Sequence, residues 1–190
     1  MTTWYTADLH FGHRNIITYC ERPWPNAEAM DAGLVERWNA LVQPSDTVWV
    51  LGDVALSTKA IGPVARLHGH KILVAGNHDA CWDRHRKHAK MIDVYRAAGF
   101  AEVHASGVVN DHAIGRRNVR LAHLPYAGDH TADDRYADRR PHDDGRPLIC
   151  GHVHTLWRKS RRQINVGVDV WDYSPVSAET LIKLLDDITA

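Results

Sequence analysis

The sequence has 190 residues, 44% hydrophobic and 24% charged, which suits one globular domain with a substantial core. Its 23 basic and 23 acidic side chains cancel, so no overall charge draws it to nucleic acid or acidic membranes. No apolar run approaches the ~20 residues of a membrane span, and residues 1–13 lack the basic-then-apolar pattern of a signal peptide. Cys20, Cys81 and Cys150 are widely spaced and form no CxxC, so neither a disulfide framework nor a zinc ribbon is expected; a reducing, cytoplasmic setting fits. The compositional outlier is histidine, with 14 copies.

In chain order, an apolar run from Trp4 to Ala7 reads as a strand ending at Asp8. A helix is expected from Asn26 to Val42, capped by Asn26 and stopped before Pro44, with Met30, Leu34, Trp38 and Leu41 on one face. Thr47 to Leu51 is a strand running into Gly52-Asp53. Ile61 to Leu67 reads as a short helix, and Lys71 to Ala75 as a strand entering Gly76-Asn77-His78-Asp79. A helix follows from Asp83 to Ala98, with Gly99 as its stop. Val103 to Ala122 reads as hairpins ending at His123, and the polar stretch 125–147 as a long ordered loop or insertion. Leu148 to Cys150 is a strand entering Gly151-His152-Val153-His154, and Gln163 to Val168 another. Leu181, Leu184, Leu185 and Ile188 mark a last helix capped by Ser177. Two basic clusters, around Arg116–Arg120 and Arg158–Arg162, read as solvated hairpins or loops. This alternation defines an α/β fold.

Five strand-like runs each end in Asp, Asn or His, and in α/β sheets ligands sit beyond the carboxyl ends of strands. Asp8 and His10 are two apart, which at a strand end aims both side chains one way; His152 and His154 repeat the spacing. Asp53 has two oxygens with which to bridge two ions, and Asn77 offers a neutral one. Carboxylate, imidazole and amide oxygen without thiolate suit Mn, Fe, Zn, Ni or Co. Taken singly, each cluster is also ordinary capping or turn chemistry; chance does not readily produce all five in order.

The ordered set Asp8-Leu9-His10, Gly52-Asp53, Gly76-Asn77-His78-Asp79, His123 and Gly151-His152-Val153-His154 resembles the calcineurin-like metallophosphoesterases. The opening Ala7-Asp8-Leu9-His10-Phe11-Gly12-His13-Arg14-Asn15 and the stretch Asn165-Val166-Gly167-Val168-Asp169 are similar to a compact bacterial and phage branch. The resemblance implies one domain over residues 1–190, built as a four-layer α-β-β-α sandwich of two mixed sheets. It implies two divalent cations, manganese first, with iron, nickel, cobalt or zinc as alternatives. Asp8, His10, Asp53 and His154 would hold one; Asp53, Asn77, His123 and His152 the other. A metal-bridging hydroxide would attack phosphorus, with His78 as general acid, Asp79 or another carboxylate orienting it, and His13 and Arg14 near the substrate. Protein phosphatases of this superfamily carry an arginine shortly after the second motif. Here Gly52-Asp53-Val54-Ala55-Leu56-Ser57 has none, which favours a singly charged phosphodiester such as a 2′,3′-cyclic nucleotide or a nucleic-acid end. Trp82 and Trp157 are candidates for base stacking, with ordinary packing the plainer reading. The competing readings are a phosphomonoesterase, a mononuclear zinc hydrolase and a non-catalytic metal-binding scaffold.

Overall fold

A computed structural model describes residues 1–131 and 133–189. Strands β1 (Thr3–Thr6), β2 (Thr47–Val50), β3 (His70–Val74) and β4 (Phe100–His104) lie side by side and parallel. Helix α1 (Arg14–Tyr19), which the sequence patterning does not reveal, and α2 (Ala27–Leu41) connect the first two; α3 (His88–Ala98) leads from β3 toward β4. The second sheet holds β5 (Val108–Ile114), β6 (Arg117–Ala122), β7 (Leu148–Cys150), β8 (Lys159–Ser160) and β9 (Gln163–Asn165), in the order β5-β6-β7-β9-β8. In it β6, β7 and β9 run parallel, while β5 and β8 are antiparallel edges. Strand β10 (Val176–Ser177) returns to pair antiparallel with β1, and α4 (Ala178–Thr189) ends the chain. The fold is α/β, with two mixed sheets and helices.

Period-two alternation explains how the sheets pack. Val48 and Val50 join one core with Met30, Leu34 and Trp38 of α2 and Tyr95 of α3. Leu51 belongs to a second core with Tyr5 and Val74, and there the first sheet meets Ile114, Val119, Leu121, Ile149 and Ile164 of the second sheet and Leu181 and Leu185 of α4. Asn26 caps α2, its Oδ1 accepting from the Ala29 amide at 2.8 Å, and Ser177 Oγ accepts from Thr180 at the start of α4.

Several boundaries move. The helix expected from Asp83 begins at His88, because the Asp83 amide donates to Ala105 O and residues 82–88 form successive tight turns. The short helix near Ile61 is a 3-10 helix over Gly62–Arg66. Val103 to Ala122 is not all hairpin: β4 joins β3 across the α3 connection, and only β5 and β6 form a hairpin. Strand β9 stops at Asn165, and a 3-10 turn follows at Val168–Val170. The outer patch of the second sheet, Ala122, Leu148 and Cys150, is covered by Tyr126 and Trp157 from irregular segments rather than by a helix. The stretch 125–147 is folded back by arginine–aspartate pairs, among them Arg140–Asp134 at 2.6 Å and Arg120–Asp144 at 3.1 Å. The basic clusters are partly paired internally: Arg117 with Asp186 and Arg162 with Asp143. Among the described residues no helix is long and apolar enough to cross a membrane.

Candidate metal centre

The loops after β1, β2, β3, β6 and β7 meet at one end of the sheets. Asp8 N donates to Gly52 O and His10 N to Asp53 O, both at 3.0 Å, so the first two loops run side by side. A parallel bridge from Ala7 to Gly167 joins the first sheet to the segment after β9. Glycines make the approach possible: a Cβ on Gly76 would collide with the Asp53 carboxylate, and one on Gly151 would lie 2.7 Å from Asp8 Oδ2.

All seven residues expected as metal ligands are buried, from 0% exposure for Asp8 to 7% for His154. Asp53 Oδ2 lies between two imidazoles, 3.6 Å from His10 Nε2 and 3.4 Å from His123 Nε2. Asn77 Oδ1 is 2.9 Å from the same His123 nitrogen. One donor atom each from Asp8, His10 and His154 falls within a 4.8 Å group, as does one each from Asp8, Asp53 and His123. The spacing of two works for a different reason than strand alternation. Asp8, His10, Asp53, His152 and His154 all have φ between 45° and 71°, the left-handed region. Such backbone costs about 1–3 kcal/mol per residue and gathers at functional sites.

Two of the expected ligand histidines are backed by carboxylates. His154 Nδ1 is 2.9 Å from Asp169 Oδ2, and Arg22, itself buried, clamps Asp169 from Nε at 2.8 Å while donating to Asp8 O and Leu9 O. His152 Nε2 is 3.2 Å from Oδ2 of Asp129, a residue of the 125–147 loop whose side chain is fully buried and is held by Arg135 at 3.0 Å. His130 of that loop bonds His152 O. Such outer carboxylates fix imidazole orientation in metal sites. Asp129, His130, Arg135 and Arg22 carry no motif in the sequence; Asp169 lies in the Asn165–Asp169 stretch.

Asp79 does not orient His78. Its carboxylate accepts from the amides of Asp53, Val54 and Gly76 at 2.8–3.0 Å and from the Tyr95 hydroxyl, so it ties the loops after β2 and β3 together. His78 is half-buried, its amide donating to Asp53 Oδ1 and its ring 5.8 Å from that of His10. His13 packs against His10, with ring centroids 5.4 Å apart; Arg14 is exposed at the start of α1. Trp82 is 3% exposed within the core and is not free to stack a base, and Trp157 packs on the second sheet. Cys150 is fully buried, and that burial pushes its thiol up.

Titration reflects crowding. Burial pushes the Asp8 carboxyl up, whereas Asp53 is held well below the usual range because His123 and His10 outweigh its burial. Against their own burial, His123 is raised to about 9 beside Asp53 and His154 to about 11 beside Asp8 and Asp169. His10 and His78 are lowered, chiefly by burial. The buried carboxylates thus favour the charged forms of His123 and His154, and a cation would compete for the same nitrogens.

Fold and site together define an α/β protein with a buried histidine–carboxylate cluster at its strand ends, whose donor atoms could hold a metal ion. The chain is 38% identical to the Gene 66 protein of Mycobacterium phage L5, covering 98% of this chain and 95% of that one. It is 33% identical to the Gene 66 protein of Mycobacterium phage D29, covering 97% and 96%, and 32% identical to the uncharacterised protein MJ1445 of Methanocaldococcus jannaschii, covering 95% and 89%. The chain belongs to the family of the mycobacteriophage Gene 66 proteins. Its fold is similar to the crystal structure of AQ665, a protein of unknown function from Aquifex aeolicus, with a TM-score of 0.70, 25% identity and 96% and 98% of the two chains covered. No family model matches the sequence.

Proposed function

We propose that this chain is a dinuclear metal-dependent phosphodiesterase of the calcineurin-like metallophosphoesterase type, acting on nucleotide-type esters. The observation that carries the reading is the unsatisfied polarity around Asp53. Asp8 Oδ1 and both ring nitrogens of His10 are buried and make no hydrogen bond. An unpaired buried polar atom costs about 1–3 kcal/mol, so this cluster is expensive unless cations complete it. Oxygen and nitrogen donors without thiolate fit Mn and its first-row neighbours. Asp8, His10, Asp53 and His154 would hold one ion; Asp53, Asn77, His123 and His152 the other.

Two such ions supply Lewis acidity, neutralising phosphate charge and making water acidic enough to react near neutral pH. The chain's own residues do the rest. Asp53 faces both histidine sets and fixes their separation. His78, kept neutral by burial, presents an imidazole to the phosphoryl group; a bound anion favours its protonated form, which passes a proton to the departing oxygen. Arg135 is paired with Asp129 and Arg22 with Asp169, so neither guanidinium is free to grip a phosphate, and Arg14 stands exposed at the start of α1. So small a surplus of positive charge suits a monoanionic diester better than a dianionic monoester.

Hydrolysis of bis-p-nitrophenyl phosphate, p-nitrophenyl phosphate and 2′,3′-cyclic nucleotides, measured with Mn, Ni, Co, Zn and Fe, tests this. A diester should be the fastest substrate, and His78→Ala should retain two ions while losing about 10²–10⁴ in turnover. Faster turnover of the monoester than of every diester overturns the diesterase reading; no hydrolysis with any metal overturns the enzyme reading.

A further inference from the structure

Next to the metal-ligand cluster lies a cavity of about 370 Å³ between α1, the 125–147 loop and the turn that carries His154. Cavities of ~300–1,000 Å³ are the size that takes small organic ligands. This one shares a wall with the centre, since His154 and His130 line it. Its remaining lining is apolar or uncharged: Ile16, Cys20 and Val153 at the base, Tyr19 and Leu156 at the mouth, and Thr131 and Thr155. Among the described residues no Lys, Arg, Asp or Glu lines it.

The mouth residues are unusual. Tyr19 is 70% and Leu156 57% exposed, and they are two of only five large apolar side chains exposed among the described residues. An aromatic ring and a leucine left facing water on either side of a cavity form an apolar clamp without its occupant. The Tyr19 ring is not loose: it meets His13 edge-on at 6.3 Å, and His13 in turn packs on His10. A ring steadied at the rim, with apolar walls and a few hydroxyls, selects a flat uncharged group rather than a second phosphate or a sugar acid.

We infer that this cavity is a binding subsite for the aromatic group of a phosphate ester, a nucleobase or aryl ring, gripped between Tyr19 and Leu156 while the phosphate lies over Asp8, Asp53 and the ligand histidines. The inference rests on the phosphoesterase reading for which molecule brings the ring, but ring binding can be measured without hydrolysis.

Calorimetry tests it with inorganic phosphate, methyl phosphate, phenyl phosphate and adenosine 5′-monophosphate on the manganese-loaded protein, and with adenosine and phenol on the metal-free protein. Adenosine 5′-monophosphate or phenyl phosphate should bind at least about tenfold tighter than methyl phosphate, the low end of what one stacked ring contributes. The Tyr19→Ala/Leu156→Ala double variant should lose that advantage while inorganic phosphate serves as the internal reference. An advantage for the nucleotide alone identifies the ring as a nucleobase; an equal advantage for phenyl phosphate identifies any aryl ring. Equal affinity for all three organic phosphates overturns the subsite, as does an advantage that survives in the double variant. If no phosphate compound binds, the phosphoesterase reading fails, and the subsite stands or falls on whether adenosine or phenol binds the metal-free wild type and not the variant.

Discussion

Asp129 and Asp169 each stand beside one histidine of the Gly-His-x-His motif. Each presents a carboxylate oxygen to one ring nitrogen, and each is itself held by an arginine, Arg135 or Arg22. A carboxylate behind a ligand imidazole sets its tautomer and strengthens its donor nitrogen, and its loss costs ~10–100-fold in metal affinity. Asp129→Asn and Asp169→Asn should therefore each weaken Mn²⁺ binding by about that factor in calorimetric titration, with the number of ions at saturation unchanged. Wild-type affinity in either variant would show the pair to be mere packing. The two residues also mark the limit of what the sequence tells. The seven expected ligands were legible because residue type, spacing and a preceding apolar run coincide, and they do come together. Asp129 has no such context; it lies in a polar stretch without periodicity and meets His152 only because Arg120, Arg135 and Arg140 fold that stretch back. Arg22 and Asp169 are 147 residues apart, a contact no local pattern encodes. Asp79 misled for the opposite reason: proximity in sequence to His78 suggested a partnership, but its carboxylate faces backbone amides.

Elements were legible in proportion to their length and periodicity. Helix α2, with fifteen residues, an Asn cap and a clear apolar face, was read to within a residue, as were β1, β2, β3 and β7. Six-residue α1 is too short for a periodic signal, and the false start of α3 came from helix-compatible residues whose amides are claimed by turns and by Ala105 O. Which strand joined which sheet was also hidden, since apolar runs on both sheets look alike. One inter-sheet contact has a measurable pH signature. His112 of β5 reaches across to β1 and β2, its Nε2 2.8 Å from the Tyr5 hydroxyl and its ring meeting Trp49 edge-on at 4.7 Å. Burial holds its pKa below 6.5. The unfolded chain then takes up this proton first as pH falls, so the contribution is complete above about 6.5 and is lost below it. Urea midpoints of the metal-free protein at pH 7.5 and 5.5 should show wild type falling further than His112→Gln. A wild-type-to-variant difference that ignores pH would remove His112 from the acid sensitivity.

At the scale of the molecule, the centre lies at one end of the two packed sheets, beyond the strand ends of both. Its residues come from loops after strands of both: Asp8, Asp53 and Asn77 from the first, His123, His152 and His154 from the second. The junction holds left-handed backbone at five of the expected ligands, unpaired atoms on Asp8 and His10, and buried carboxylates that favour the charged forms of His123 and His154. Cations that satisfy those donors bind the folded chain and not the unfolded one, because the ligands span residues 8 to 154 and converge only on folding. Mass action then requires stabilisation of ~2.7 kcal/mol at a hundred times the dissociation constant. For a chain of this size that is a rise in Tm of about 5–10 °C. Thermal unfolding of chelator-treated protein with and without saturating Mn²⁺ should show this rise, and Ca²⁺ at the same concentration should give less, since imidazole-rich sites favour transition metals. Asp53→Asn should abolish most of it, because Asp53 Oδ2 faces both halves of the centre. Equal rises in wild type and Asp53→Asn would mean that the ions bind elsewhere, and the two sheets would then owe nothing of their docking to the centre between them.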